Sequence, residues 1–210
     1  MPDYDQQRGA ARENLCRYLA ACYYQPGPEY AEERVFESML DAAAGVDPEL
    51  AACTRRLGEA FAGEGVDKLL VDYARLFLGP AHILAKPYGS AWLEGEQTLM
   101  QDSTADVDAL YAEGGFEIDD GFRELPDHIA AELEFLYLLI FRENEAQRSG
   151  DAAALAAIAD LRKRFLGGHL GAWIVPFTAA VSEGAESAFY RELAELTGRF
   201  VGMETAPTQP

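Results

Sequence analysis

The spacing of the apolar residues restricts this chain more than any other feature. Hydrophobic side chains recur three and four apart through nearly all of the 210 residues, and no clean strand alternation extends beyond four residues. An all-α fold follows, with about eight to ten helices in a single compact domain over residues 1–202 and a disordered tail over 203–210. Leu15, Tyr18, Leu19, Cys22 and Tyr23 form one stripe of a first helix over about 7–24, which Pro26-Gly27-Pro28 ends. A second helix is predicted over about 29–44. Asp47-Pro48 starts a third, with Asp as cap and Pro in the first turn, where its missing N–H costs nothing; Gly63-Glu64-Gly65 stops it. Asp67 reads as the cap of a fourth, which carries Leu69, Leu70, Tyr73, Leu76 and Phe77 up to Gly79-Pro80.

Residues 80–101 break the pattern. They hold Pro87, Gly89, Gly95 and two large aromatics, Tyr88 and Trp92, and a loop of this length inside a compact domain is usually functional or mobile. Asp102-Ser103-Thr104 caps a helix of about ten residues ended by Gly114-Gly115. A second loop, 114–125, leads to the strongest helix, about 126–146, whose inward stripe is Ile129, Leu133, Leu136 and Ile140. Three further helices are predicted over about 152–166, 169–181 and 187–201.

Composition enters where function is concerned. Lys and Arg number 17 against 36 Asp and Glu, a net charge of −19, which argues against a polyphosphate partner and favours something cationic. Hydrophobic residues make up 49% of the chain, too many for a solvated acidic tail. Met1-Pro2-Asp3-Tyr4-Asp5 lacks the basic start and apolar stretch of a secretion signal. Apolar segments such as Leu136 to Phe141, bracketed by Glu134 and Arg142, are far too short to span a bilayer. A cytoplasmic protein is the expectation. The three cysteines, Cys16, Cys22 and Cys53, form no Cys-x-x-Cys pair and read as reduced, small core hydrophobes.

No phosphate-binding glycine loop, dinucleotide fingerprint or serine-hydrolase elbow is present. The densest polar feature is Glu124-Leu125-Pro126-Asp127-His128, followed by Glu132 and Glu134. Three readings compete. In the first, Asp127 is a first-turn acid that stabilises the helix dipole and His128 is held by Glu132, four residues on. In the second, a metal-dependent hydrolase uses His128, Glu132 and a neighbouring acid. A metal needs three or four ligands, however, and His82 and His169 lie on other segments. In the third, a fixed anion and an imidazole face a cationic or hydrogen-bonding ligand.

Charge placement supports the third reading. Between Glu113 and Glu134 stand eight acids and one base, Arg123. Arginine would pair with such carboxylates through bidentate, charge-assisted bonds. Beside them are the aromatics. Tyr73 and Phe77, four apart, are either core or groove; Tyr88 and Trp92 either plug the fold or meet a partner. An apolar groove beside an acidic patch suits a peptide with arginines followed by an apolar stretch.

Five segments carry a resemblance: Tyr73-Ala-Arg-Leu-Phe-Leu-Gly-Pro80, Pro87-Tyr-Gly-Ser-Ala-Trp-Leu93, Leu99-Met-Gln-Asp-Ser-Thr104, Glu124-Leu-Pro-Asp-His-Ile-Ala-Ala-Glu-Leu-Glu-Phe135 and Phe189-Tyr-Arg-Glu-Leu-Ala194. Their order and spacing, with His169-Leu170 and Trp173, resemble the TorD/DmsD family of cytoplasmic chaperones for molybdenum-cofactor oxidoreductases. The likeness runs from about Leu15 to Phe200. It implies an all-helical chaperone, not an enzyme, monomeric or domain-swapped as a homodimer, with no cofactor of its own. Its partners would be the twin-arginine signal peptide and apoprotein of an oxidoreductase catalytic subunit, with export delayed until the cofactor is inserted. Signal-peptide binding carries over to Asp127 and His128, and with them to Glu124, Tyr73, Phe77, Tyr88 and Trp92. The chain departs from some members at Ala81 and Gln101, which bears on the choice of client. A plain helical adaptor that recognises a folded partner is the other non-enzymatic reading.

The mechanism expected is electrostatic capture followed by apolar burial. Replacing Asp127 and His128 with alanine should then weaken peptide binding while lowering the melting temperature by no more than a degree or two.

Overall fold

Asp47 starts a helix as the sequence predicts. Its carboxylate accepts the backbone N–H groups of Glu49 at 2.8 Å and Leu50 at 3.3 Å, with Pro48 in the first helical position. Similar local signals build the rest of the computed structural model, which describes residues 2–79, 82–94, 102–119 and 121–206. The helices are α1 (Pro2–Ala21), α2 (Glu29–Glu32), α3 (Val35–Val46), α4 (Pro48–Glu64), α5 (Val66–Tyr73), α6 (Ser90–Leu93), α7 (Asp102–Gly114), α8 (Ile129–Ser149), α9 (Ala152–Gly168), α10 (Leu170–Gly184) and α11 (Ala188–Thr205). Among the described residues there is no β-strand, only an isolated antiparallel bridge between Tyr88 and His128. The all-α expectation is met, and the count exceeds eight to ten because α2 and α6 are four-residue helices that periodicity does not resolve.

α8 is the central element. It packs against α1 on one side and α9 and α10 on the other, while α4 lies between α3 and α11. Its predicted inward stripe of Ile129, Leu133, Leu136 and Ile140 is fully buried, and Phe135 and Leu139 are buried with it. All three cysteines are free and buried, as expected of core residues. Burial pushes the Cys22 thiol up to about 12, so it stays protonated near neutral pH. No single described helix is long and apolar enough to cross a membrane.

Four departures from the sequence reading have physical causes. The predicted helix over 29–44 breaks at Arg34, whose φ is +52°. In a continuous helix Tyr30 and Phe36, six residues apart, would point about 120° away from each other. The break brings their rings to 5.9 Å and both onto Phe61. Next, α5 begins at Val66 with Gly65, not Asp67, in the capping position, and it runs into a π-helical turn, Ala74–Leu78. That turn ends at Gly79, where φ is +47° and a Cβ would lie 2.5 Å from the carbonyl oxygen of His82, so only glycine fits. Third, α8 starts at Ile129 rather than near Pro126, because His128 is extended (φ −69°, ψ 139°) and pairs with Tyr88.

Finally, α11 continues past the expected end at residue 202. Glu204 is buried and accepts from Arg12 of α1 at 2.7 and 2.8 Å and from Arg162 of α9 at 2.9 Å. These long-range ion pairs hold a turn that local sequence marks as frayed. Residues 207–210 of the predicted tail lie outside the described residues, as do Pro80, Ala81, Gly95, Gln101, Leu99-Met100 and Asp120.

Candidate functional site

The bridge between Tyr88 and His128 joins the loop before α6 to the start of α8. Ile129 N–H donates to the Pro87 carbonyl at 2.8 Å, and Gly89 N–H donates to the Asp127 carbonyl, also at 2.8 Å. Side chains reinforce the join. The Ser90 N–H, free at the first turn of α6, donates to Asp127 Oδ2 at 2.8 Å. Asp127 therefore caps a neighbouring helix rather than supplying a first-turn charge to its own. The His128 imidazole accepts from Ala130 N–H through Nδ1 at 3.2 Å, which leaves its proton on Nε2. Burial lowers its pKa to about 4 against the opposing pull of Glu124 and Asp127, so the ring is neutral near pH 7.

Glu132 does not hold His128, as the first sequence reading had it. It is fully buried, and its Oε2 accepts from the indole N–H of Trp173 at 3.1 Å. Burial, offset in part by that bond and reinforced by Asp127, holds its carboxyl well above the usual range. Gly89 lies against this pair: a Cβ there would be 2.9 Å from Trp173 Nε1 and 3.0 Å from Glu132 Oε1. Asp127 Oδ1, Glu132 Oε1 and Ser90 Oγ are buried with no hydrogen-bond partner. Such groups are uncommon in native interiors; Asp127 Oδ1 is an open acceptor, while the Ser90 hydroxyl and the protonated Glu132 carboxyl can donate or accept. His169, one turn before Trp173, is also held below its usual range by burial, against the charges of Asp106 and Asp127.

At the surface above this cluster, the Tyr88 hydroxyl donates to exposed Glu124 at 2.5 Å, and the Tyr88 ring meets the His128 ring edge-on at 5.4 Å. Burial, then Glu124, raises the Tyr88 pKa. The fold thus brings Tyr88, Glu124, Asp127 and His128 together in one cluster. The other aromatics sit in a separate layer. Half-buried Trp92 donates to the Lys86 carbonyl at 2.8 Å and meets Phe177 at 6.3 Å; Phe177 in turn meets Phe77 at 6.3 Å. Phe77 is 3% exposed and packs on Tyr23, Tyr73 and Tyr190, which makes it core in this structure. Tyr73 is half-buried at the edge of that layer, its hydroxyl 3.5 Å from the Tyr23 carbonyl.

Two expectations need correction. Asp127 and His128 lie beneath the surface, 1% and 5% exposed, rather than facing an incoming ligand. Both also hold backbone N–H groups, so alanine at either position removes structural bonds as well as charge. Sequence reasoning did not single out Ser90, Gly89 or Trp173 as site residues, and it misplaced Glu132. A signal existed for Glu132, which falls three after Ile129 and four before Leu136 and so on the buried stripe of α8. Among the described residues no group of three or more His, Cys, Asp or Glu is arranged to hold a metal ion.

The family model described as nitrate reductase delta subunit matches residues 43–179, well over half of the chain. The chain belongs to this family. The expected kinship with TorD/DmsD chaperones is borne out by relatives of the same name. "Chaperone protein TorD" of Vibrio parahaemolyticus is 29% identical over 140 residues, covering 66% of this chain and 63% of that protein. The TorD of Photobacterium profundum is 30% identical with the same coverage, and that of Shewanella loihica is 26% identical over 83% of this chain and 78% of the relative. The chain spans 63% of the length of the Vibrio and Photobacterium relatives it matches. A crystal structure from Archaeoglobus fulgidus, described as a candidate redox enzyme maturation protein, superposes with a TM-score of 0.54 at 21% identity over 91% of this chain and 93% of that one. It shares the fold of this delta-subunit family member.

Proposed function

We propose that this protein is a cytoplasmic chaperone, not an enzyme, which binds the twin-arginine signal peptide and apoprotein of a molybdenum-cofactor oxidoreductase subunit and delays export until maturation. The observation that carries the reading is convergence. Segments far apart in sequence, around Tyr88-Gly89-Ser90, Glu124 to Glu132 and His169 to Trp173, meet at one cluster that leaves acceptors unpartnered. The names of the TorD relatives and of the Archaeoglobus protein support a role in redox-enzyme maturation.

In this reading Glu124 and the Tyr88 ring are the accessible contacts, with Trp92 and the edge of Tyr73 beside them. Asp127 and His128 set the loop before α6 in place. Phe77 contributes by supporting the aromatic layer. An incoming arginine pairs with Glu124 and gains Asp127 Oδ1 if the short helix α6 gives way. Because the cluster is closed in this structure, binding includes a local opening at α6.

Titration calorimetry with a synthetic twin-arginine signal peptide tests the proposal. Micromolar or tighter binding that weakens at least tenfold when the arginine pair is changed to glutamine supports it. Absence of heat for both peptides overturns it.

A further inference from the structure

The eight acids between Glu113 and Glu134 do not act together. Glu113 pairs with Arg164, Glu124 with Tyr88, and Asp127 and Glu132 are buried, while Asp120 lies outside the described residues. Glu117, Asp119 and Glu134 remain. None of the three joins an ion pair among the described residues, although Glu134 accepts from the Tyr24 hydroxyl at 2.6 Å and Asp119 from Gly121 N–H at 2.7 Å. All three line one surface depression.

That depression consists of two adjoining cavities, about 280 Å³ and about 390 Å³, between the end of α1, residues 116–119 with Phe122, and α8. They share Tyr24, Phe116 and Glu134. The floor is a stripe of α8 that the core does not cover: Glu134, Tyr137 and Leu138 are half-exposed and follow the i, i+3, i+4 pattern of one helix face. The first half of α8, otherwise buried, thus leaves an aromatic and aliphatic strip open. Tyr24 is 36% exposed and meets Phe122 edge-on at 6.2 Å; Phe122 then meets the His128 ring at 5.9 Å. The groove is therefore continuous with the candidate site. The base lining it, Arg17, lies over the ring of Tyr18 at 5.1 Å.

We infer that this groove is a second docking surface, on which an arginine-bearing peptide lays its apolar stretch along Tyr137 and Leu138 and pairs its cationic end with Glu117, Asp119 and Glu134. Charge complementarity selects the occupant. Three carboxylates without a cationic partner surround an aromatic floor, and a guanidinium is the group that both stacks on such rings and pairs with carboxylates. An acidic or uncharged apolar segment would leave the carboxylates unpaired. The inference rests on the proposed binding of a twin-arginine segment and extends the contact surface from Tyr88 and Glu124 around to α1.

Fluorescence anisotropy with a labelled synthetic peptide, two adjacent arginines followed by about a dozen apolar residues, tests it. The full-length parent is compared with a charge variant, E117Q/D119N/E134Q, and with L138Q, all surface or half-exposed changes checked for unaltered melting. The charge variant should bind about tenfold more weakly at low salt and lose most of the parent's salt dependence, since rim charges act chiefly on encounter and screening. L138Q should weaken binding without changing the salt dependence. If the parent binds and both variants match it, the groove is not used and this inference fails while the signal-peptide reading stands. If the parent does not bind, both fail. Gel filtration that shows a dimer broken by L138Q, with peptide binding unchanged, would assign the groove to a second copy of the chain and overturn the inference.

Discussion

Asp127 Oδ2 lies 2.8 Å from the backbone N–H of Ser90, so a carboxylate at the entrance to α8 caps a helix 37 residues earlier in the chain. This bond ties the fold and the candidate site to the same residue. Truncating Asp127 therefore releases the cap on α6 as well as removing a charge.

Asp127→Ala leaves the Ser90 N–H buried and unpaired, a loss of about 1–3 kcal/mol. For a chain of this size, at about 2–4 °C per kcal/mol, that corresponds to a melting temperature lower by roughly 2–12 °C. Asp127→Asn keeps an acceptor oxygen and should lose much less. Thermal melts that place Asp127→Ala within a degree of the parent would show that α6 does not depend on this cap.

His128 gives a pH signature. Its folded pKa, about 4, lies below the ordinary 6.5, so the unfolded chain binds the extra proton between those values. The contribution of His128 is complete above pH 6.5 and is lost as pH falls toward 4, on the order of 3 kcal/mol in all. His128→Asn retains a side-chain oxygen able to cap Ala130 and does not titrate. In chemical denaturation from pH 7 to pH 4, the stability gap between parent and variant should move against the parent as pH falls. A constant gap would contradict a buried neutral imidazole.

Glu132 acts in the opposite sense. Its folded pKa is raised, so the native state binds the extra proton and stability declines as pH rises above the unfolded value near 4.5. Glu132→Gln removes that decline. The variant should gain on the parent as pH rises above about 5, at a limiting slope of about 1.4 kcal/mol per pH unit, whatever their difference at pH 4.5. Parallel stability curves would mean that Glu132 is ionised in the fold. The two titrations oppose each other in the parent, and for that reason each is read from a variant.

Glu204 is 6% exposed and holds both Arg12 and Arg162. Glu204→Gln leaves the two guanidiniums sharing Glu143 alone, at 3.5 and 3.6 Å, and should cost about 1.5–3 kcal/mol in urea unfolding. A loss below half a kilocalorie would indicate that the last turn of α11 is not anchored.

The helical class, most helix positions and the buried stripe of α8 were legible because they depend on local spacing. Asp47 and Ser187 cap through their own side chains, a relation contained within three residues. The errors arose where distant groups decide the outcome. The break at Arg34 serves contacts among Tyr30, Phe36 and Phe61, and the continuation of α11 serves Arg12 and Arg162. The site was half legible for the same reason. Glu124, Asp127, His128 and Tyr88 could be named from residue types and resemblance, but the burial of Asp127 and His128, and the place of Trp173 against Glu132, exist only once α6, α8 and α10 come together. The acidity was legible as a total, whereas its division between buried, paired and free carboxylates was not.

The central claim is recognition of a twin-arginine signal on an immature oxidoreductase subunit. Its most direct test is to isolate this protein from its native cell and identify what is bound, with and without the signal segment of the candidate client. The partner expected is a molybdenum-dependent oxidoreductase subunit that begins with a twin-arginine signal and whose recovery falls sharply when that signal is deleted. Equal recovery of the partner after deletion would contradict it and identify an adaptor for a folded surface instead.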